Sequence, residues 1–313
     1  MGKKKFTGVS QFLARFRGWI QAGAALLTNL HLPNFLKGRL YQGAGKTVCV
    51  PGLNCYSCPA ASGACPIGAF QAVVGSSKFS FSYYITGILI LLGVLLGRFI
   101  CGFLCPFGWF QELLHKIPSR KLSTRKLKPL RYLKYAILLV MVFLLPAFLV
   151  NDVGMGDPFF CKYLCPQGVL EGAIPLSLAN SGIRAALGSL FTWKLGILLV
   201  VIVLSVLFYR PFCKWICPLG AFYALLNKVS LVQMKVEQSK CISCGKCAKA
   251  CKMDVDVTKS PNHTECIRCG MCVRACPTNA VHFRCGFGTG KQGTVLPEKT
   301  NKQMNDIVKE KKS

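Results

Sequence analysis

Long uncharged apolar runs frame the chain. Phe81–Phe99 holds its single charge, Arg98, next to its end. Tyr135–Val150 holds none, and Leu195–Tyr209 is bracketed by Lys194 and Arg210. Each run approaches the length a helix needs to cross a hydrocarbon layer of about 30 Å. A weaker run, Trp19–Leu32, contains Gln21, Asn29 and His31. The alternative is a set of buried helices in a soluble protein, and the uncharged interiors of the three strong runs argue against it. The pattern predicts an all-α membrane bundle of four transmembrane helices over residues 18–230. The basic start of the chain resembles a signal-peptide n-region, but no small-x-small site follows; His31-Leu32-Pro33-Asn34 stands there. A retained first span is expected, with residues 1–17 as a basic cytoplasmic N-terminus.

Charge gives the orientation. The chain has 39 Lys and Arg against 11 Asp and Glu, a formal charge of +28. The segment from Lys116 to Lys134 is dense in cations, whereas the only cations of Asn151–Trp193 before Trp193 are Lys162 and Arg184. The positive-inside rule then puts both termini in the cytoplasm of a bacterial or archaeal cell, in a multi-pass inner-membrane protein. No aromatic-basic nucleic-acid motif accompanies the charge, so no nucleic-acid partner is expected. The Lys-rich tail 286–313 is expected to be mobile.

Nineteen cysteines change the picture. Cys241, Cys244, Cys247 and Cys251 follow the spacing Cys-x-x-Cys-x-x-Cys-x-x-x-Cys, and Cys266, Cys269, Cys272 and Cys276 repeat it before Pro277. This is the two-cluster bacterial ferredoxin pattern, in which the fourth cysteine of each run ligates the other cluster. Cluster I is assigned to Cys241, Cys244, Cys247 and Cys276, and cluster II to Cys266, Cys269, Cys272 and Cys251. Gly245 and Gly270 lie where backbone must wrap a cluster closely. Structural zinc takes its ligands in two pairs, which this spacing does not offer. Lys252 stands where the pattern usually has proline, which weakens the first turn and leaves the ligand set intact. A small α+β ferredoxin domain over 231–285 is expected.

A second pattern repeats through the membrane part. Cys-Pro-x-Gly-x-(Phe/Leu) occurs at Cys65, Cys105, Cys165 and Cys217, and in three copies a cysteine stands four residues earlier, at Cys101, Cys161 and Cys213. In the first copy Cys55 or Cys58 must substitute. Proline at the first helical position suits a turn entering a helix. The expected topology groups Cys101, Cys105, Cys213 and Cys217 into an inner site. It groups Cys161 and Cys165, with two of Cys55, Cys58 and Cys65, into an outer site near the opposite face. Cys49 and Cys285 are left over. Thiolates in fours select iron-sulfur clusters, zinc or cuprous copper, and beside a two-cluster ferredoxin the expectation is two further [4Fe-4S] clusters.

Other cofactors leave no mark. Gly43-Ala-Gly45-Lys46-Thr47 imitates a Walker A loop, but Leu40 stands where the pattern needs glycine. His31, His115, His263 and His282 offer no facing pair for haem, and Cys-x-x-Cys-His is absent.

Four spans, Cys-x-x-x-Cys-Pro at span ends and a C-terminal two-cluster ferredoxin resemble the NapH/NosR-like membrane 4Fe-4S ferredoxins (polyferredoxins) from about residue 15 to 285. The resemblance implies electron transfer between the quinone pool or a periplasmic acceptor and redox partners, without haem. The outer set Cys55, Cys58, Cys65, Cys161 and Cys165 departs from that pattern and favours a conduit through the membrane. The expected partners are a cytoplasmic electron donor and an extracytoplasmic flavin or metal redox protein, or quinone. A quinol dehydrogenase subunit feeding a reductase is the first alternative, and a thiolate-rich copper-handling or redox-sensing membrane protein is the second. The chain alone is expected to catalyse no substrate chemistry.

Overall fold

The computed structural model describes residues 2–76, 83–152 and 155–286. The tail expected to be mobile lies, from residue 287 on, outside the described residues.

Among the described residues two helical segments are long and apolar enough to cross a membrane, Leu127–Phe148 and Ser189–Leu207, of 22 and 19 residues. They cover all but the last two residues of the runs expected at 135–150 and 195–209. Both turn apolar side chains outward: Leu139, Leu199, Val200 and Val203 are each more than half exposed. The run expected at 81–99 is broken. Its helix, Tyr83–Leu95, has 13 residues, and a turn at Gly97 (φ +54°) separates it from the short helix Phe99–Phe103. The first expected span, Trp19–Leu32, only partly coincides with a helix, Gly2–Thr28, which ends four residues before the run does. Among the described residues, length and apolarity therefore identify two spans and do not confirm four. At Pro146 the helix widens into a π-turn, over Leu138–Leu144 just before it. Proline lacks the N–H that a tighter ladder needs there and its ring crowds the preceding turn.

The Cys-Pro turns form as the spacing suggests. Cys65, Cys105 and Cys217 are extended residues at the N-caps of Pro66–Gly75, Pro106–His115 and Pro218–Leu226, each with proline at the first helical position. In the third copy Cys165 leads into the helical segment Gly168–Ala179, whose first turns, Gly168–Ala173, are π-helical.

The C-terminal unit closes on a two-stranded antiparallel sheet, Val232–Val236 against Val281–Cys285, with Val232 opposite Cys285. Between the strands the backbone repeats itself. Left-handed residues fall at Ser243, Gly245 and Asp254 in the first half, and at Arg268, Gly270 and Asn279 in the second. The match between Asp254 and Asn279 shows that the turn after Cys251 keeps its shape despite Lys252.

The first turns of Gly2–Thr28 clamp this unit to the rest. The Phe283 N–H donates to the Ser10 hydroxyl at 3.0 Å, and the Gln11 amide donates to Asn279. One apolar core runs from Cys65 and Cys165 through Cys101, Cys105 and Cys217 to Met253, Ile267 and Cys269, so the ferredoxin unit is continuous with the helical part.

Candidate metal centres

Two cavities of similar size occupy the ferredoxin unit, as two copies of one group require. The first is lined by Cys241, Cys244, Cys247 and Cys276, and the second by Cys251, Cys266, Cys269 and Cys272. These are the two quartets expected from spacing, crossed fourth cysteine included. Backbone amides point at the crossing sulfurs: Ala280 N–H donates to Cys276 Sγ at 3.3 Å and Val255 N–H to Cys251 Sγ at 3.5 Å. The thiol of Cys272 also feels that of Cys247, so the two quartets are neighbours.

The helical part gathers two more quartets. Cys101, Cys105, Cys213 and Cys217 perturb one another electrostatically and are all buried. So do Cys55, Cys65, Cys161 and Cys165. Of the three candidates to complete the second set, Cys55 and Cys65 join it. Cys58 lies beside Cys55 but is not among the groups acting on Cys161 or Cys165, and its Sγ is 3.6 Å from the Asn29 side-chain oxygen. Cys49 is buried and Cys285 is exposed.

The two membrane quartets do not sit at opposite faces. Residues Pro51–Asn54, expected in an outer loop, dip between them. The backbone amide of Leu53 lies towards the Cys105 sulfur, and that of the next residue, Asn54, towards the Cys65 sulfur, each lowering the pKa of that thiol. Tyr223, fully buried, feels Cys101 and Cys105 on one side and Cys65 on the other. Apolar periodicity reports which segments face lipid and says nothing of a loop that re-enters between them, because such a loop satisfies its polar backbone within the protein.

The inner quartet is equally close to the ferredoxin unit. A side chain at Gly102 would collide with the Ile267 carbonyl oxygen, and Ile267 lines the second cavity. Around this junction lie cations that sequence reasoning treated only as a bulk charge. Arg98 and Arg210 stand three residues before Cys101 and Cys213, and they are exchanged: Arg210 donates to the carbonyl of Cys101, and Arg98 to that of Cys213 at 3.4 Å. Each has a buried counter-ion, Glu265 for Arg98 at 2.9 Å and Glu112 for Arg210 at 3.0 Å. Lys134 adds a second contact to Glu265 at 2.6 Å. Burial alone would raise the Glu265 carboxyl, but Arg98 and then Lys134 outweigh it and hold it down at about 2. Lys214 is buried against Asp254 and the carbonyl of Lys252, beside Cys213 and Cys251. The signal that would have found the arginines is their common offset from the paired cysteines.

The donor chemistry fits iron-sulfur clusters better than a single ion. Each ferredoxin quartet offers four cysteine sulfurs around one cavity, the donor set that holds a [4Fe-4S] cluster. Burial pushes the Cys105 thiol up to about 12, so loading this quartet must release protons.

Comparison with known proteins agrees with the repeat. A family model described as a 4Fe-4S binding domain matches residues 63–84, 80–125, 134–174 and 190–237, one segment for each Cys-Pro-x-Gly copy. A second model of that description matches 234–255 and 260–282, the two halves of the ferredoxin unit. The chain belongs to the NapH/NosR-like family of 4Fe-4S ferredoxin-type proteins. It carries domains that bind [4Fe-4S] clusters. Similar proteins include an uncharacterized protein of Methanocaldococcus jannaschii, 28% identical over 55% of this chain and 66% of its own length. The putative electron transport protein YccM of Escherichia coli is 28% identical over 54% of this chain and 45% of its own. The ferredoxin-type protein NapH of Haemophilus influenzae is 26% identical over 56% and 54%. The match thus spans less than two thirds of each of these relatives. No solved structure matches.

Proposed function

We propose that this chain is a membrane electron conduit holding four [4Fe-4S] clusters in one line. The ligand sets would be Cys241, Cys244, Cys247 and Cys276; then Cys251, Cys266, Cys269 and Cys272; then Cys101, Cys105, Cys213 and Cys217; then Cys55, Cys65, Cys161 and Cys165. When bound, such clusters supply reversible one-electron transfer. The observation that carries the reading is the adjacency of all four quartets. Cys247 and Cys272 join the first two, Gly102 on Ile267 joins the second to the third, and Leu53–Asn54 with Tyr223 joins the third to the fourth.

The chain's own residues do the rest. The helices bury Cys101, Cys105, Cys213 and Cys217 in an apolar core, and the second membrane quartet at Cys65 and Cys165, with Cys55 and Cys161 partly buried. Arg98, Arg210, Lys134 and Lys214, all at most 1% exposed, offset the negative charge that thiolate-ligated clusters carry. The exposed end of the line is Cys244, which suits a cytoplasmic donor. The fourth quartet lies at the far end, towards an extracytoplasmic redox protein or quinone. Four membrane crossings with both termini inside remain our reading of the charge pattern; the outward apolar faces of Leu127–Phe148 and Ser189–Leu207 support it.

Anaerobic iron and labile-sulfide analysis of the purified protein tests this. About sixteen irons per chain are expected for four cubanes. About eight would leave only the ferredoxin pair filled and sink the conduit, moving the quinol-linked or metal-handling alternatives ahead.

A further inference from the structure

Gln71 and Gln111 occupy the same place in two different quartets. Each stands six residues after the cysteine of a Cys-Pro-x-Gly turn, Cys65 and Cys105, and each is fully buried. Gln71 Nε2 lies 3.2 Å from Cys161 Sγ, and Gln111 Nε2 lies 3.2 Å from Cys213 Sγ. Each therefore reaches across from its own turn to the first cysteine of the partner turn in the quartet.

The orientation of both amides is fixed by chemistry. Gln71 Oε1 accepts the N–H of Phe160 at 2.9 Å, and Gln111 Oε1 accepts that of Phe212 at 3.2 Å. A backbone N–H can only donate, so the oxygen must face it and the NH2 must face the sulfur. The second amide proton is also spent, on the carbonyl four residues back: Ile67 at 3.3 Å for Gln71 and Phe107 at 3.4 Å for Gln111. Three bonds thus hold each amide, and its one remaining role is to donate to a thiolate. The other two turns carry different residues at this offset, Glu171 and Tyr223, so the membrane quartets receive one such donor each.

We infer that Gln71 and Gln111 are matched positioning residues that set the reduction potentials of the two membrane clusters through one N–H···S bond apiece. This rests on the four-quartet reading above. A donor to the thiolate stabilises the reduced, more negative state more than the oxidised one, most strongly where water is excluded. Hydrogen bonds to the sulfurs are among the levers that set cluster potential. One donor per quartet raises both potentials together and keeps neighbouring sites close in energy.

The test is a potentiometric titration followed by electron paramagnetic resonance on the full-length protein. Gln71→Met and Gln111→Met keep an unbranched side chain of similar length and remove the donor. Gln71→Glu and Gln111→Glu also keep the acceptor for the Phe160 or Phe212 N–H. Wild-type signals from membrane clusters come first; without them the functional reading fails, separately from this inference. Given them, each variant should lower the midpoint of one cluster, the Gln71 variants that of the Cys161 set and the Gln111 variants that of the Cys213 set. The expected change is about tenfold in the one-electron equilibrium, or ~59 mV. Full iron content with unmoved midpoints overturns the inference. Loss of the affected cluster in both the Met and the Glu variant also overturns it, because the glutamines would then be struts alone.

Discussion

Tyr223 donates its hydroxyl proton to the carbonyl of Pro51 at 3.1 Å, and this bond closes the layer between the two membrane quartets. The tyrosine comes from the helix that follows Cys217, and the carbonyl from the re-entrant segment whose next residues lie towards the sulfurs of Cys105 and Cys65. Tyr223→Phe should keep the ring in place and lose one hydrogen bond, at a cost of about 1 kcal/mol. Tyr223→Ala should open a cavity in the core at about 3–5 kcal/mol. Iron content and thermal unfolding in detergent separate the two. The phenylalanine variant retains its iron, and the alanine variant loses membrane-site iron before ferredoxin iron. Equal loss in both would mean that the hydroxyl contact, not the packed ring, holds the layer.

The choice of Cys55 over Cys58 has a direct chemical consequence. Cys55→Ser should remove one cubane, about four irons per chain. Cys58→Ser should leave the iron count unchanged, since its sulfur contacts Asn29 and does not act on Cys161 or Cys165. Iron analysis of the two variants decides this, and iron loss from Cys58→Ser alone would reverse the assignment.

How far the sequence carried depended on how local each signal was. The ferredoxin quartets were legible because their ligand spacing is written in consecutive residues, and both cavities are lined as that spacing requires. The Cys-Pro-x-Gly repeat was legible for the same reason. The partition of the membrane cysteines into two fours was read from paired turns at span ends, which restrict which copies can meet. What failed was distance. Apolar runs place segments relative to lipid, so they could not show that Pro51–Asn54 folds back between the quartets. Nor could they show that Phe81–Phe99 is interrupted at Gly97. Arg98, Arg210, Gln71 and Gln111 were visible at fixed offsets from cysteines, yet their roles come from contacts about a hundred residues away along the chain.

Glu265 is the joint between the ferredoxin unit and the helices. It is buried between Arg98 and Lys134, both fully buried themselves. Glu265→Gln removes the shared counter-ion and leaves two cations unpaired in the interior, which typically costs about 3–5 kcal/mol. Chemical denaturation should show the loss, with the second ferredoxin cluster affected first because Cys266 is the next residue. A variant that unfolds at the wild-type denaturant concentration would show that the triad adds nothing net to this junction.

The exposed end of the line predicts how a donor docks. Cys244 is exposed and Ile242 is 61% exposed beside it, both on the rim of the first cavity. Lys240, Lys246 and Lys249 are exposed around them, and the nearby acid Glu237 is paired with Lys240 at 2.8 Å. A small apolar spot ringed by cations favours an acidic one-electron carrier, because surface charge steers approach over distances of about a Debye length. Reduction by an acidic carrier such as flavodoxin, followed by stopped flow, should slow as salt rises. The double charge reversal Lys246→Glu with Lys249→Glu should slow it about tenfold at low ionic strength. Neither residue lies in a ligand position, so iron content should stay at the wild-type value. The gap between variant and wild type should close in high salt, where the steering is screened. A rate that ignores both salt and charge reversal would mean that electrons enter at another face, and the quinol-linked reading would gain from it.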